Sequence, residues 1–266
     1  MNSPAEYAAV FAAGIGSGVL ISTVGFASLL SFPVLLAVGL PPVVANVTNT
    51  IGLTPAGLSG SFGYRRELRE HPVVTTIVLL TCAGGAVLGV VLLLALPPGV
   101  FAAIVPYLIL VTCLLVGAQP MITKVLRRGR ASEAGAAADR ESATRLPGPT
   151  RLSPLTTVAS IVVGVYGGYF GGGSGVMMMA VLGFGADLEL RVVNALKTLS
   201  VAAGNVVAAA IFVVIADVDW VAAGLLALGS AGGGYVGALI GRRLPGTLLR
   251  VLIVLGGVVA AITMLG

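Results

Sequence analysis

Charge is what this 266-residue chain has least of: Asp, Glu, Lys and Arg make up 9% of it, against roughly 25% in an ordinary soluble domain. So thin a charged complement cannot cover the surface of a water-soluble globule, and that class is excluded. Histidine occurs once, as His71 in the polar stretch Arg65–Pro72, where it reads as a solvated residue. A Ser–His catalytic pair is therefore not on offer. The two cysteines, Cys82 and Cys113, both fall inside apolar runs and read as reduced core residues, not as a metal or redox pair. No GxxxxGK[ST] phosphate loop occurs, so the chain does not power itself with ATP, and no cofactor is expected. Met1–Glu6 contains no Lys or Arg ahead of the first apolar run, so a cleaved signal peptide is not expected. Strict apolar–polar alternation over about ten residues is also missing, which argues against a membrane β-barrel.

What the chain has is apolar length. Hydrophobic residues make up 57%, mean hydropathy is +1.07, and 38 residues are glycine, which suits closely packed or broken helices in a bilayer. Apolar segments lie near 5–23, 25–39, 43–62, 73–96, 100–122, 155–170, 174–185, 193–215, 220–240 and 248–265. Several reach the roughly 20 residues a spanning helix needs. The expected fold is an all-α polytopic membrane protein. Residues 5–39 and 155–185 each break at glycines, around Gly25 and around Gly171–Gly172–Gly173, and read as two helical hairpins with unwound tips. Pro41–Pro42, Pro97–Pro98–Gly99 and Pro245–Gly246 mark turns between other segments. Lys124–Pro154 is polar, mixed in charge and aperiodic, and reads as a flexible linker.

Basic residues give an orientation. Arg65, Arg66, Arg69, Lys124, Arg127, Arg128, Arg130, Arg140, Arg145, Arg151, Arg191, Arg242, Arg243 and Arg250 can all lie on the cytoplasmic side at once. The opposite loops then hold only Glu6, Asp217 and Asp219. Loop basicity of this kind reports topology in the plasma membrane, with both termini outside, and not nucleic-acid binding. It also exposes a symmetry: residues 1–123 form a hairpin and three crossings, and residues 155–266 repeat that plan upside down around the linker 124–154. Aligned 148 residues apart, Gly25 meets Gly173, Asn46 meets Asn194, Thr50 meets Thr198, and Asn49 meets Lys197. Two inverted repeats with broken helices are an architecture of secondary transporters.

Lys197 is the one basic residue away from the cytoplasmic side, six residues into the segment after Arg191, or roughly 9 Å at about 1.5 Å per residue. A charge at such depth normally faces a cavity and has a partner; the bland alternative is that it snorkels to the interface. Asn194, Thr198 and Asn205 extend a polar stripe around it, and no Asp or Glu lies deep enough to pair with it. A buried cation without a fixed anion suits an anionic substrate. Gly172, Gly173 and Ser174 would offer free amides at a helix start, and Gly25, Asn46, Thr48 and Asn49 would face them from the first half. The plain alternatives are close helix packing for the glycines and interhelical hydrogen bonds for Asn46, Thr48 and Asn49. Gly172–Gly173–Ser174–Gly175 also fits G-x-S-G, so an intramembrane Ser–Lys hydrolase built on Ser174 and Lys197 is a competing class. An anion channel on the same site is another.

"GVYGGYFGGGSGVMMMAVLGF", "NALKTLSVAAGNVVAA" and "LALGSAGGGYVGALIGRRLP", together with "GLPPVVANVTNTIGL" and "YRREL", resemble the sulfite exporter TauE/SafE family, also called the toluene sulfonate uptake permease group. The likeness covers nearly the whole chain outside Lys124–Pro154. It implies a secondary transporter of a small sulfur-containing anion, such as sulfite or an organosulfonate, and not an enzyme. The family's glycine-rich break and Asn-Ala-Leu-Lys helix fall on Gly171 to Gly175 and Asn194 to Lys197. The first hairpin departs from the family's triple glycine, reading Ser22–Thr23–Val24–Gly25–Phe26. Partners are then a small anion and the lipid bilayer, with a homodimer compatible. Lys197→Ala is expected to abolish anion flux in proteoliposomes while the protein still inserts; near-normal flux would remove that role from Lys197.

Overall fold

The computed structural model describes residues 3–23, 27–138, 152–186, 188–240, 254, 255, 258, 261 and 262. Among these residues the fold is entirely helical: α1 (Pro4–Thr23), α2 (Ser28–Ala37), α3 (Pro42–Gly63), α4 (Arg65–Glu70), α5 (Pro72–Ala95), α6 (Pro98–Ala138), α7 (Pro154–Tyr169), α8 (Ser174–Gly185), α9 (Leu190–Ile215) and α10 (Trp220–Ile240). Helices α1, α3, α5, α6 and α7 all open on proline, whose missing N–H costs nothing in a first turn. Residues 254, 255, 258, 261 and 262 are helical as well, and Cys113 Sγ on α6 donates to the Val254 carbonyl at 3.8 Å.

Among the described residues four helices carry apolar stretches long enough to cross a bilayer, at Pro4–Ile21, Pro72–Ala95, Pro98–Leu126 and Leu190–Ile215. The chain is a multi-pass all-α membrane protein. Helix α3 is long enough too but less apolar, because Asn46, Thr48, Asn49 and Thr50 point inward and are buried. Two expectations change. Residues 124–138 are not loop but the continuation of α6, since their Ala and Arg content outweighs Gly129 and Gly135 as a helix former. Arg65–Glu70, expected as loop, is the short helix α4, whose Glu70 accepts from Arg191 of α9 at 3.1 Å. Both partners are exposed, so that pair adds little stability.

Two crossings share one device. On α1 and α10, Gly14 and Gly18 face Gly229 and Gly233; on α5 and α7, Gly85 and Gly89 face Gly164 and Gly168. A Cβ on Gly14 would lie 2.9 Å from the Leu226 carbonyl oxygen, and one on Gly85 would lie 2.5 Å from that of Ile161. Cβ atoms on Gly18, Gly89, Gly168 and Gly233 would strike backbone directly. Four GxxxG motifs thus lock in two pairs, each bringing backbones into contact where lipid offers no hydrophobic drive. Within each pair the helices run parallel. Helices α3 and α9 instead cross antiparallel at the centre, with Gly57 against Ala202 and Gly60 against Thr198. Exchanging α1 with α7, α2 with α8, α3 with α9 and α5 with α10 maps these packing partners onto one another.

Gly84 provides an internal control for Gly85, since it is exposed and has open space around it. Gly85→Ala is expected to cost about 1–3 kcal/mol through overpacking, while Gly84→Ala should be neutral or slightly stabilising. Thermal unfolding of the two variants in detergent checks the contrast.

Candidate functional site

The second hairpin turns at Phe170 to Gly173. Gly171 and Gly173 take φ of +81° and +77°, which side-chain-bearing residues rarely adopt, so the helix stops and restarts across four residues. Its carbonyls are tied off. Asn46 Nδ2 of α3 donates to the Tyr169 carbonyl at 3.0 Å. Ser174 Oγ donates to that of Gly171 at 2.9 Å. Tyr166 OH donates to that of Gly172 at 2.6 Å, with Thr112 Oγ1 of α6 3.1 Å from the same oxygen. The Gly173 carbonyl accepts from the Val176 and Met177 amides. Phe170 wedges the turn, edge-on to Phe32 at 5.5 Å.

Residues flanking the first break and the tip of the second hairpin meet over the crossing of α3 and α9. One cavity is lined by Ile21, Ala27 and Ser28 of the first hairpin, Gly171, Gly173 and Ser174 of the second, and Leu53, Val201 and Asn205 of the crossing helices. A second cavity lies on the other side of Ser174, Val201 and Asn205, toward Cys82, Gly164, Gly167, Ser200 and Gly204. Each has room for about one water molecule in this conformation. Among the described residues no Asp or Glu lines either one. Helix α2 starts from Ala27 and α8 from Gly173, neither with a side-chain cap, so two helix N-termini converge on the first cavity. At the α8 start the Ser174 amide, expected to be free, donates to the Gly171 carbonyl at 3.3 Å, and the Val176 amide to that of Gly173. The Gly172, Gly173 and Gly175 amides have no backbone partner among the described residues and lie at the positive end of the helix dipole.

The candidate residues separate into three groups. Gly173, Ser174 and Asn205 line the cavities. Asn46, Thr48 and Asn49 make scaffolding contacts: Asn46 holds the Tyr169 carbonyl, Thr48 Oγ1 accepts from the Asp219 amide at 3.2 Å, and Asn49 Oδ1 accepts from Ser31 at 2.5 Å. Gly172 belongs with them, its carbonyl bonded and the space beside its Cα filled by the Phe170 ring. Lys197, Asn194 and Thr198 lie on the α9 stripe below the cavities. Lys197 is 7% exposed; its carbonyl accepts from Ser200 Oγ at 2.7 Å, but its ammonium has no hydrogen bond or ion pair among the described residues. It lines neither cavity, but Ser200 and Gly204, three and seven positions on, line the second, so it continues their helical face. Thr198 Oγ1 donates back to the Asn194 carbonyl at 2.9 Å, as Thr50 does to Asn46. Gly25 lies outside the described residues. Ser174 donates its hydroxyl proton to the Gly171 carbonyl and makes no bond to Lys197, so a Ser–Lys dyad is not assembled.

Tyr166 and Thr112 were not legible as site residues. Each is one of several polar groups in an apolar helix, and nothing in the sequence pairs them across 54 positions.

Broken half-helices that present their starts to a cavity at the crossing of two helices define the chain as a multi-pass membrane transporter. It belongs to the sulfite exporter TauE/SafE family, whose model matches residues 10–264. Among curated proteins it is 28% identical over 263 residues to "Probable membrane transporter protein ORF9" of Sinorhizobium sp, covering 96% of this chain and 91% of that one. It is 25% identical over 257 residues to "Probable membrane transporter protein" of Haemophilus influenzae, covering 93% and 90%. No solved structure matches the chain.

Asn46 is 1% exposed and its bond spans two segments far apart in sequence, whereas Asn194 is half-buried with no side-chain bond among the described residues. Asn46→Ala is expected to destabilise by about 1–3 kcal/mol, leaving the Tyr169 carbonyl unmet. Asn194→Ala should cost clearly less. Chemical or thermal unfolding of both variants in detergent measures the difference.

Proposed function

We propose that the chain is a secondary transporter of a small sulfur-containing oxyanion, such as sulfite or an organosulfonate, working by alternating access. The observation that carries this reading is the convergence of two uncapped helix starts, α2 and α8, on one cavity that no carboxylate lines. Such a place favours an anion and penalises a cation. Asn205 supplies a further polar side chain, while the Ser174 hydroxyl proton is committed to the Gly171 carbonyl. Lys197 is the counter-charge, one turn beyond Ser200 on the face that the second cavity follows, and an anion leaving the tips on that side meets it next. The narrowness of both cavities fits an occluded state from which the hairpin tips must part.

In this reading residues 1–123 and 155–266 are inverted repeats joined by 124–154. The exchange of packing partners between halves supports it, as do the parallel pairs α1–α10 and α5–α7 and the antiparallel pair α3–α9. The basic residues set both termini outside the plasma membrane. The protein acts as a carrier and not as a hydrolase, in line with its family and with the occupied Ser174 hydroxyl.

Uptake of radiolabelled sulfite into proteoliposomes tests the proposal. Asn205→Asp puts a like charge beside the anion in a medium of low dielectric and should cut uptake at least about tenfold. Asn205→Ala should cut it less. Equal uptake by Asn205→Asp and the unaltered protein would refute the site.

A further inference from the structure

We infer that Tyr166 is a positioning residue that sets the sign of charge the site accepts, with Thr112 as its support; this rests on the anion-transport reading above. An unwound turn inside a membrane presents amides and carbonyls alike. Amides receive anions, but free carbonyls coordinate cations, as broken helices of ion-coupled transporters do. The turn here has its acceptors withdrawn. Four of the five carbonyls from Tyr169 to Gly173 are hydrogen-bonded, and the Gly172 oxygen is met by two hydroxyls.

The Gly172 carbonyl is the decisive one, because it shares a peptide plane with the Gly173 N–H. No peptide bond in the described chain is cis. In a trans peptide the C=O and N–H point to opposite sides. Pinning the oxygen toward Tyr166 and Thr112 therefore turns the Gly173 amide the other way, and Gly173 lines the cavity between the hairpin tips. With glycine on both sides of it, at Gly172 and Gly173, that plane has few steric restraints of its own. The hydroxyl bond holds it. Tyr166 is the principal donor at 2.6 Å. Thr112 has a single proton to share among the Gly172 oxygen at 3.1 Å, the Leu108 carbonyl at 2.8 Å and the Tyr166 oxygen at 3.0 Å, and its methyl packs against Gly173. Without these hydroxyls the plane can flip, withdrawing an amide from the cavity and delivering a carbonyl to it.

The test measures sulfite uptake and rubidium uptake in the same proteoliposome preparations. Tyr166→Phe keeps the ring and its contact with Phe170 but loses the proton. It should raise the KM for sulfite about tenfold and admit rubidium, which the unaltered protein excludes. Thr112→Val should shift both readouts in the same direction by less, and Thr112→Ser, which keeps the hydroxyl and drops the methyl, should restore them. A Tyr166→Phe protein with unchanged KM and no rubidium uptake overturns the inference, as does one with fewer active molecules but an unaltered KM. Thr112→Ser behaving as Thr112→Val assigns the effect to the methyl and also overturns it. If the unaltered protein carries no sulfite, sulfonate or other small oxyanion, the anion-transport reading falls first, and this inference with it.

Discussion

A backbone that stops being helical inside a bilayer must find a partner for every amide and carbonyl it releases, because lipid supplies none. The rest of this structure is arranged around that requirement at the Phe170–Gly173 turn. Side chains from α3, α6, α7 and α8 reach its carbonyls, and three of those four helices lie elsewhere in the chain or after the break. Meeting four of the five acceptors from Tyr169 to Gly173 while the Gly172 and Gly173 amides keep no backbone partner tilts the turn toward positive charge. The dipoles of α2 and α8 add to the same sign. A local rule of hydrogen-bond satisfaction therefore becomes a rule of substrate charge.

The two crossing helices divide the labour unequally. On α3, Asn46, Thr48 and Asn49 are consumed by contacts with the Tyr169 carbonyl, the Asp219 amide and Ser31. On α9, the counterparts Asn194 and Lys197 have no side-chain bonds among the described residues. One helix serves as anchor and the other keeps its polar groups for what passes. These contacts, with Asn46 Oδ1 left unpartnered among the described residues, let so polar a helix sit at the core.

Much of the fold was readable from periodicity and punctuation. Apolar runs, prolines at first turns and glycine clusters located the helices of the hairpins and crossings, because each of those signals acts within a few residues. The extension of α6 past Lys124 is hidden by its polar composition, which masks the helix propensity of its Ala and Arg. At the site, Gly173, Ser174 and Asn205 stood out as residue types that suit an anion. What sequence could not separate was which asparagines build and which ones face the pathway, since Asn46 and Asn194 look alike until the Tyr169 carbonyl is found beside one of them. The Tyr166–Thr112 pair was hidden for the same reason: contact across two helices leaves no local trace.

The glycine clasps carry a mechanical consequence. Each joins a helix from before the polar linker to one from after it, α1 to α10 and α5 to α7, with backbones in direct contact. The halves of the chain are thus riveted across one another and cannot rock apart as two blocks. Any hinge must lie between the riveted pairs and the hairpin tips, so the moving parts of this molecule are assembled from both ends of the polypeptide and do not coincide with either stretch of sequence. A chain cut within the linker would still need both fragments to build either piece of the machine.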